Sequence, residues 1–129
     1  KDIYSKPNTK FVAEFIGSPQ MNLFNCNIEN GNAKIGDGQI NLENSINVQD
    51  ASIGVRPDDI QVNQNGKFET KANLVEYLGS DMIIYSSIGN QDFSSKLSSK
   101  IDVKAGDNFK FDILSSSVHI FDNTTNKRV

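Results

Sequence analysis

Glycine-bearing turns punctuate this chain at short intervals: Asn30-Gly31, Gly36-Asp37-Gly38, Asn65-Gly66, Gly79-Ser80-Asp81, Gly89-Asn90 and Ala105-Gly106-Asp107. Glycine takes positive φ without steric cost, and Asn-Gly between alternating runs is a strong hairpin signal. Turns at roughly ten-residue spacing leave room for strands and not for long helices. The chain is therefore expected to be mainly β, an OB-like small antiparallel barrel, with one short helix at its start.

The runs between the turns support this reading. Met21 to Glu29 alternates, with Met21, Leu23, Cys26 and Ile28 toward one side and a bulge near Phe24-Asn25. Ala33–Ile35 and Gln39–Leu42 read as short strands. Glu43 to Ala51 is polar and predicts a loop that touches the body through Ile46 and Val48. Ser52–Val55 enters a buried strand, Pro57-Asp58-Asp59 opens a single turn, and Ile60 and Val62 resume a strand. Lys67 to Leu78 reads as the longest strand, returning through Met82–Ile88. Gln91–Leu97 follows with Phe93 and Leu97 inward, then Phe109–Leu114 in clean alternation. Val118, Ile120 and Phe121 form the last strand, and Asn123–Val129 a turn plus tail.

The one helical signal lies in Lys6 to Asn22. Asn8 can cap a helix, Phe11, Val12, Phe15 and Ile16 make one apolar stripe, and Gly17-Ser18-Pro19 ends it. This divides the chain into a linker helix over 1–20 and a β domain over 21–129. Lys1 opens in helix-ready sequence without a starting Met, which reads as a piece of something longer.

Composition narrows the partners. The 129 residues carry a net charge of −3, with acidic and basic residues interspersed and no Lys/Arg cluster. A nucleic-acid backbone is therefore a poor partner. No apolar run is long enough to cross a bilayer as a helix. The lone Cys26 reads as a small buried hydrophobe, without the neighbours that stabilise a thiolate.

Catalytic patterns fail one after another. His119 stands alone in an apolar strand, which leaves no metal cluster and favours a structural histidine over a general base. No phosphate-binding loop occurs; Gly66-Lys67 is followed by Phe68. Asp58 and Asp59 are adjacent, so their carboxylates point apart and make a poor acid/base pair. Arg56 is the one anion-binding candidate in the body of the chain, and a structural pair with Asp58 or Asp59 is the stronger reading. No catalytic, cofactor or metal residue is assigned.

Three stretches together carry a resemblance. FVAEFIGSPQMNLF (11–24), SIGVRPDDI (52–60) and LVEYLGSDMIIY (74–85) resemble the C-terminal region of the ATP-binding subunits of sugar-type ABC importers, the group of the maltose and glycerol-3-phosphate importers. DIYSKP (2–7) is similar to the segment that joins the ATPase domain to that region, and HIFDNTTNKRV (119–129) resembles its closing motif. Glu14 and Asn126 depart from the small residue and the Gly common there, and Asn tolerates the left-handed conformation.

The resemblance implies a regulatory OB-like domain of the kind called TOBE. It implies that ATP and Mg belong to an ATPase domain upstream of Lys1 and that this part is not catalytic. It also implies a second copy of the subunit as partner, membrane permease subunits reached through the ATPase domain, a phosphotransferase-system regulator, and a place at the cytoplasmic face of the membrane. A self-complementary dimer patch is expected at Ser18, Pro19, Gln20, Met21 and Asn22 and at Arg56, Pro57, Asp58 and Asp59, two exposed corners pinned by proline. The competing reading is a small-oxyanion barrel of the molybdate type.

Overall fold

A computed structural model of the protein describes Thr9, residues 20–42 and residues 44–129. The predicted helix, and Ser18 and Pro19 with it, lie outside the described residues. Thr9 makes an antiparallel bridge with Lys127.

The turns act as the sequence predicts. β1 (Asn22–Glu29) and β2 (Asn32–Ile35) meet through Asn30-Gly31, with φ of 50° and 77°. β8 (Asp81–Ile88) and β9 (Gln91–Ser98) meet through Gly89-Asn90, with φ of 55° and 61°. Positive φ at both central residues is the turn whose twist matches a hairpin. Gly36-Asp37 joins β2 to β3 (Gly38–Asn41), and Gly79-Ser80 joins β7 (Leu74–Leu78) to β8. The remaining strands are β4 (Val48–Val55), β5 (Ile60–Val62), β6 (Phe68–Lys71), β10 (Asn108–Ile113), β11 (His119–Asp122) and β12 (Lys127–Arg128). Short 3-10 turns stand at Pro57–Asp59 and Ser115–Ser117.

The strands form three antiparallel sheets, in the orders β12-β11-β4-β1-β2-β3, β5-β10-β6 and β7-β8-β9. This mainly antiparallel architecture agrees with the OB-like expectation. Their common interior is held by a chain of aromatic rings that crosses from the first sheet to the β8–β9 sheet and on to the β10 sheet, where it ends. Phe24 of β1 lies 5.5 Å from Phe93 of β9, Phe93 lies 5.3 Å from Phe111 of β10, and Phe111 stacks at 5.3 Å on Phe68 of β6. Phe24 and Phe111 are wholly buried. Such pairs add a further ~0.5–1.5 kcal/mol each beyond the area they bury.

Four sequence expectations need correction. The bulge lies on β4 and not on β1: Cys26 faces Ala51 and Ile28 faces Val48, so β4 carries the extra residue. The inward face of β1 is then Asn22, Phe24 and Ile28, with Met21 and Leu23 on the opposite face against Phe121. Glu43–Ala51 is not all loop, because β4 begins at Val48; the bulge turns Gln49 and Asp50 outward together, and that hid the strand's alternation.

Lys67–Leu78 is two strands in two sheets. The Ala72 amide donates to the Asp107 carbonyl (2.8 Å) and the Gly106 amide to the Ala72 carbonyl (2.7 Å), while the Asn73 amide donates to Tyr85 of β8 (2.9 Å). Ala72-Asn73 is the crossing point from one sheet to the other. The C-terminal tail pairs back on β11 as β12, closed by Asn126 at φ 60°, whose backbone N–H donates to the Asp122 carbonyl.

Gly66 and Gly79 separate two reasons for a glycine. A Cβ on Gly66 would stand 2.5–2.6 Å from the Phe111 backbone, which cannot move aside, whereas Gly79 has open space and φ of 73°. Gly66→Ala is expected to lose about 3 kcal/mol through overpacking, and Gly79→Ala about 1 kcal/mol through strain alone. Urea denaturation of the two variants checks the ranking; equal losses would contradict the close approach.

Candidate functional site

The two predicted corners meet at one end of the β1–β4 ladder. Asn22 pairs with Val55, the residue before Arg56, and the Pro57–Asp59 turn packs on β9. The sequence placed these segments more than thirty positions apart, and the ladder makes them neighbours.

Their exposure differs from the expectation. Arg56 is 6% exposed and Pro57 is buried, as are Met21 (5%) and Asn22 (7%). Gln20 and Asp58 face outward and Asp59 is half-buried. Among the described residues of the predicted patch, Met21, Asn22, Arg56 and Pro57 therefore hold the fold together, and Gln20 and Asp58 face outward. The turn is set by the extended Arg56 backbone (φ −69°, ψ 145°), with the Asp59 amide donating to the Arg56 carbonyl at 2.9 Å.

Asn22 does what sequence reading did not anticipate. Its Nδ2 donates to the Ser94 carbonyl (2.8 Å) and the Ser94 amide donates to its Oδ1 (2.9 Å), a buried pair across 72 residues. Three residues on, the pattern reverses: the Asn25 amide donates to Gln91 Oε1 (2.7 Å) and Gln91 Nε2 donates to the Asn25 carbonyl (3.1 Å). β9 is the outer strand of its sheet, so its backbone groups facing away from β8 need partners. Two side-chain amides supply the bonds that a backbone ladder would otherwise make. An Asn and a Gln in polar runs gave no advance signal of this, since the same residues are ordinary in loops.

Behind the corner runs a second polar chain. The Ser52 hydroxyl, fully buried, sits 2.9 Å from both Asn25 Oδ1 and Asn123 Oδ1, donating to one at a time. Asn123 Nδ2 donates to Asp50 Oδ1 at 2.8 Å. Asp50 reaches that position because the bulge turns it outward.

The electrostatics of the corner lean acidic. Burial, and then the neighbouring Asp58 charge, push the Asp59 carboxyl above its ordinary range, with the Arg56 guanidinium opposing them. Cys26 is half-buried, and desolvation pushes its thiol up to about 11, which fits the inert reading. Among the described residues no His/Cys/Asp/Glu group could hold a metal ion, and no helix is long and apolar enough to cross a membrane. The cleft beside the corner is lined by Asp92 and, among the described residues, by no Lys, Arg or His. The oxyanion reading finds no cation there.

The fold and the conjunction of these segments define a mainly antiparallel β domain, and sequence comparison gives its family. The profile of the TOBE domain matches residues 53–121, just over half of the chain, and the chain belongs to that family. It is similar to the oligosaccharides import ATP-binding protein MsmX of Bacillus subtilis, 33% identical over all of this chain and 40% of MsmX. It is also similar to the sn-glycerol-3-phosphate import ATP-binding protein UgpC 2 of Agrobacterium fabrum, 33% identical over 99% of this chain and 36% of that protein. A third relative, a putative ABC transporter ATP-binding protein of Mycoplasma genitalium, is 28% identical over 99% of this chain and 22% of its own length. The chain thus spans well under half the length of the curated relatives it matches, and those relatives are importer ATP-binding proteins.

Two outcomes follow for this corner. Asn22→Ala strips partners from a buried amide and a buried carbonyl, so a loss of about 2–4 kcal/mol is expected; Gln91→Ala, at an exposed pair, should lose about 1 kcal/mol or less. Chemical denaturation measures both, and a reversed order would contradict the burial. Asp59→Asn removes a charge that folding disfavours. Because the folded pKa is raised, the wild-type penalty is present at neutral pH and vanishes well below the ordinary carboxylate range. The variant should therefore be more stable than wild type at pH 7 and equal to it near pH 3, in denaturation series at the two pH values.

Proposed function

We propose that this chain is the C-terminal regulatory and dimerisation domain of the ATP-binding subunit of an ABC importer for sugars or related solutes. The observation that carries the reading is the combination of a TOBE-family match with near-complete coverage of this chain and only partial coverage of importer ATP-binding relatives. The domain is non-catalytic by itself, and ATP and Mg bind an ATPase domain elsewhere in the subunit. The subunit works at the cytoplasmic face of the membrane, bound to permease subunits through that ATPase domain.

Within this role the domain supplies a fixed surface. A two-fold contact repeats one patch on both copies, so a few rigid groups can set the geometry of the whole dimer. The patch comprises Ser18 to Asn22 and Arg56 to Asp59. Gln20 and Asp58 make its outward contacts, while Asn22, Arg56 and Pro57 hold them in place. The rigidity of this corner, from the Asn22–Ser94 bonds and the proline-started turn, supports that assignment. The same domain receives inhibitory signals, with a regulator of the sugar phosphotransferase system as the partner.

Substituting Arg56 would test folding and not contact, because its side chain is buried. The informative variant is Asp58→Arg, made in the intact subunit. Subunit dimerisation by analytical ultracentrifugation and transport by uptake should both fall at least several-fold with the fold unchanged by circular dichroism. Unchanged dimerisation and transport would remove Asp58 from the interface. Independently, the coding sequence around this segment should hold a phosphate loop and an ABC signature; their absence would remove the importer reading itself.

A further inference from the structure

Two asparagines in the sequence precede a glycine, Asn30 and Asn65. With no side chain to shield it, a glycine nitrogen can attack the preceding asparagine side-chain carbonyl and close a five-membered imide. The attack needs an asparagine side chain free to turn, and a glycine N–H that can leave its acceptor. The fold treats the two pairs differently.

Asn30-Gly31 is clamped from a distance. The Gly31 N–H donates to the Ile46 carbonyl (2.9 Å), and the Gly31 carbonyl accepts from the Leu42 N–H (2.7 Å). The Asn30 N–H donates to Asn47 Oδ1 (2.9 Å). Gly31 is buried, and a Cβ there would stand 2.4 Å from the Asn44 carbonyl oxygen. Freeing the Gly31 nitrogen means pulling the β1–β2 turn off the segment that leads into β4.

Asn65-Gly66 is held only by its own turn. It lies between β5 and β6, which pair with β10 and not with each other. Asn65 is exposed, and among the described residues its side-chain amide has no hydrogen-bond partner. The Gly66 N–H donates to the Asn63 carbonyl (2.9 Å) and the Asn65 N–H to Asn63 Oδ1 (3.0 Å). Both acceptors belong to the same short turn, so opening it breaks no strand pairing, and local openings of this kind are the frequent ones.

We propose that Asn65 is a site of spontaneous covalent modification, deamidation through a cyclic imide, and that the fold protects Asn30 from the same reaction. The Gly66 backbone nitrogen gives up its proton and bonds to Asn65 Cγ, while Nδ2 leaves with that proton as ammonia. Water then opens the imide. Cleavage of the N–Cγ bond leaves an ordinary peptide with an aspartate side chain. Cleavage of the bond to the backbone carbonyl carbon routes the chain through the side chain, an isoaspartate that is one carbon longer.

Either product puts a new carboxylate between the two groups that hold Asp112, namely Asn63 Nδ2 (3.0 Å) and the Lys67 N–H (3.0 Å). Gly66 has no room to absorb the extra carbon, since even a Cβ would stand 2.5 Å from the Phe111 backbone. Modification therefore loosens the β5–β6 connection. The inference stands apart from the importer reading.

The test incubates the full chain in mildly alkaline buffer at physiological temperature and follows it by peptide mass mapping. The peptide holding Asn65 should gain about one mass unit at least tenfold faster than the peptide holding Asn30, the difference reflecting the cost of the larger opening. It should also become a methyl acceptor for an isoaspartyl methyltransferase supplied with S-adenosylmethionine. Asn65→Gln should abolish both signals with the fold unchanged by circular dichroism, because the larger ring closes much more slowly. In urea the two sites should react at similar rates. Equal rates in the folded protein, a faster Asn30, or an Asn65 that stays intact while the urea-unfolded chain reacts would overturn the proposal. So would an unchanged ratio in urea, which would remove the fold as its cause.

Discussion

The side-chain amides that join β1 to β9 are the constraint on which the rest of the arrangement depends. Asn22 holds the backbone of Ser94, and Gln91 holds the backbone of Asn25. The two residue pairs keep the same antiparallel register, so the amides act as rungs between two sheets that share no backbone ladder. Buried amide–backbone bonds contribute roughly 1 kcal/mol each when made, and leaving one unmade costs more. A seam of this kind is strict: it tolerates Asn and Gln because each carries a donor and an acceptor together, which a hydroxyl or carboxylate cannot offer in the same geometry.

What the seam fixes is the corner around it. Phe24, two residues past Asn22, reaches Phe93, and the aromatic chain runs on to Phe111 and Phe68 in the third sheet. On the other face, Met21 and Leu23 close over Phe121, which Gly54 permits because any Cβ there would stand 2.6 Å from the Met21 sulfur. One strand thus anchors two cores and a seam, and the Val55–Arg56 exit beside it starts the Pro57–Asp59 turn. The outward-facing Gln20 and Asp58 sit directly on this corner.

Much of this was legible in the sequence wherever backbone conformation is dictated by residue type. Asn30-Gly31 and Gly89-Asn90 announced their hairpins because few other residues accept positive φ. Phe109, Phe111 and Ile113 announced an inward face by strict alternation. The reading failed where tertiary pairing decides. Lys67–Leu78 carries no breaker, and its division at Ala72-Asn73 comes from the distant Gly106-Asp107 loop, which captures Ala72. The β4 bulge mimicked a polar loop because it exposes two successive residues. The resemblance to importer subunits located the corner at 18–22 and 56–59, yet the burial of Arg56 and Asn22 depends on neighbours that no local pattern names.

Amide hydrogen exchange at Ser94 and Asn25 tests the seam most directly, because both amides donate to side chains and not to a strand. If the side-chain amides close the gap between the sheets, both amides exchange slowly in the wild-type protein. Ser94, in the buried pair, should then approach the slowest amides of β8 and β9. Exchange of both at the rate of the open turn residues, while the β8–β9 ladder stays protected, would show that the seam is not closed and that the corner is not held as described.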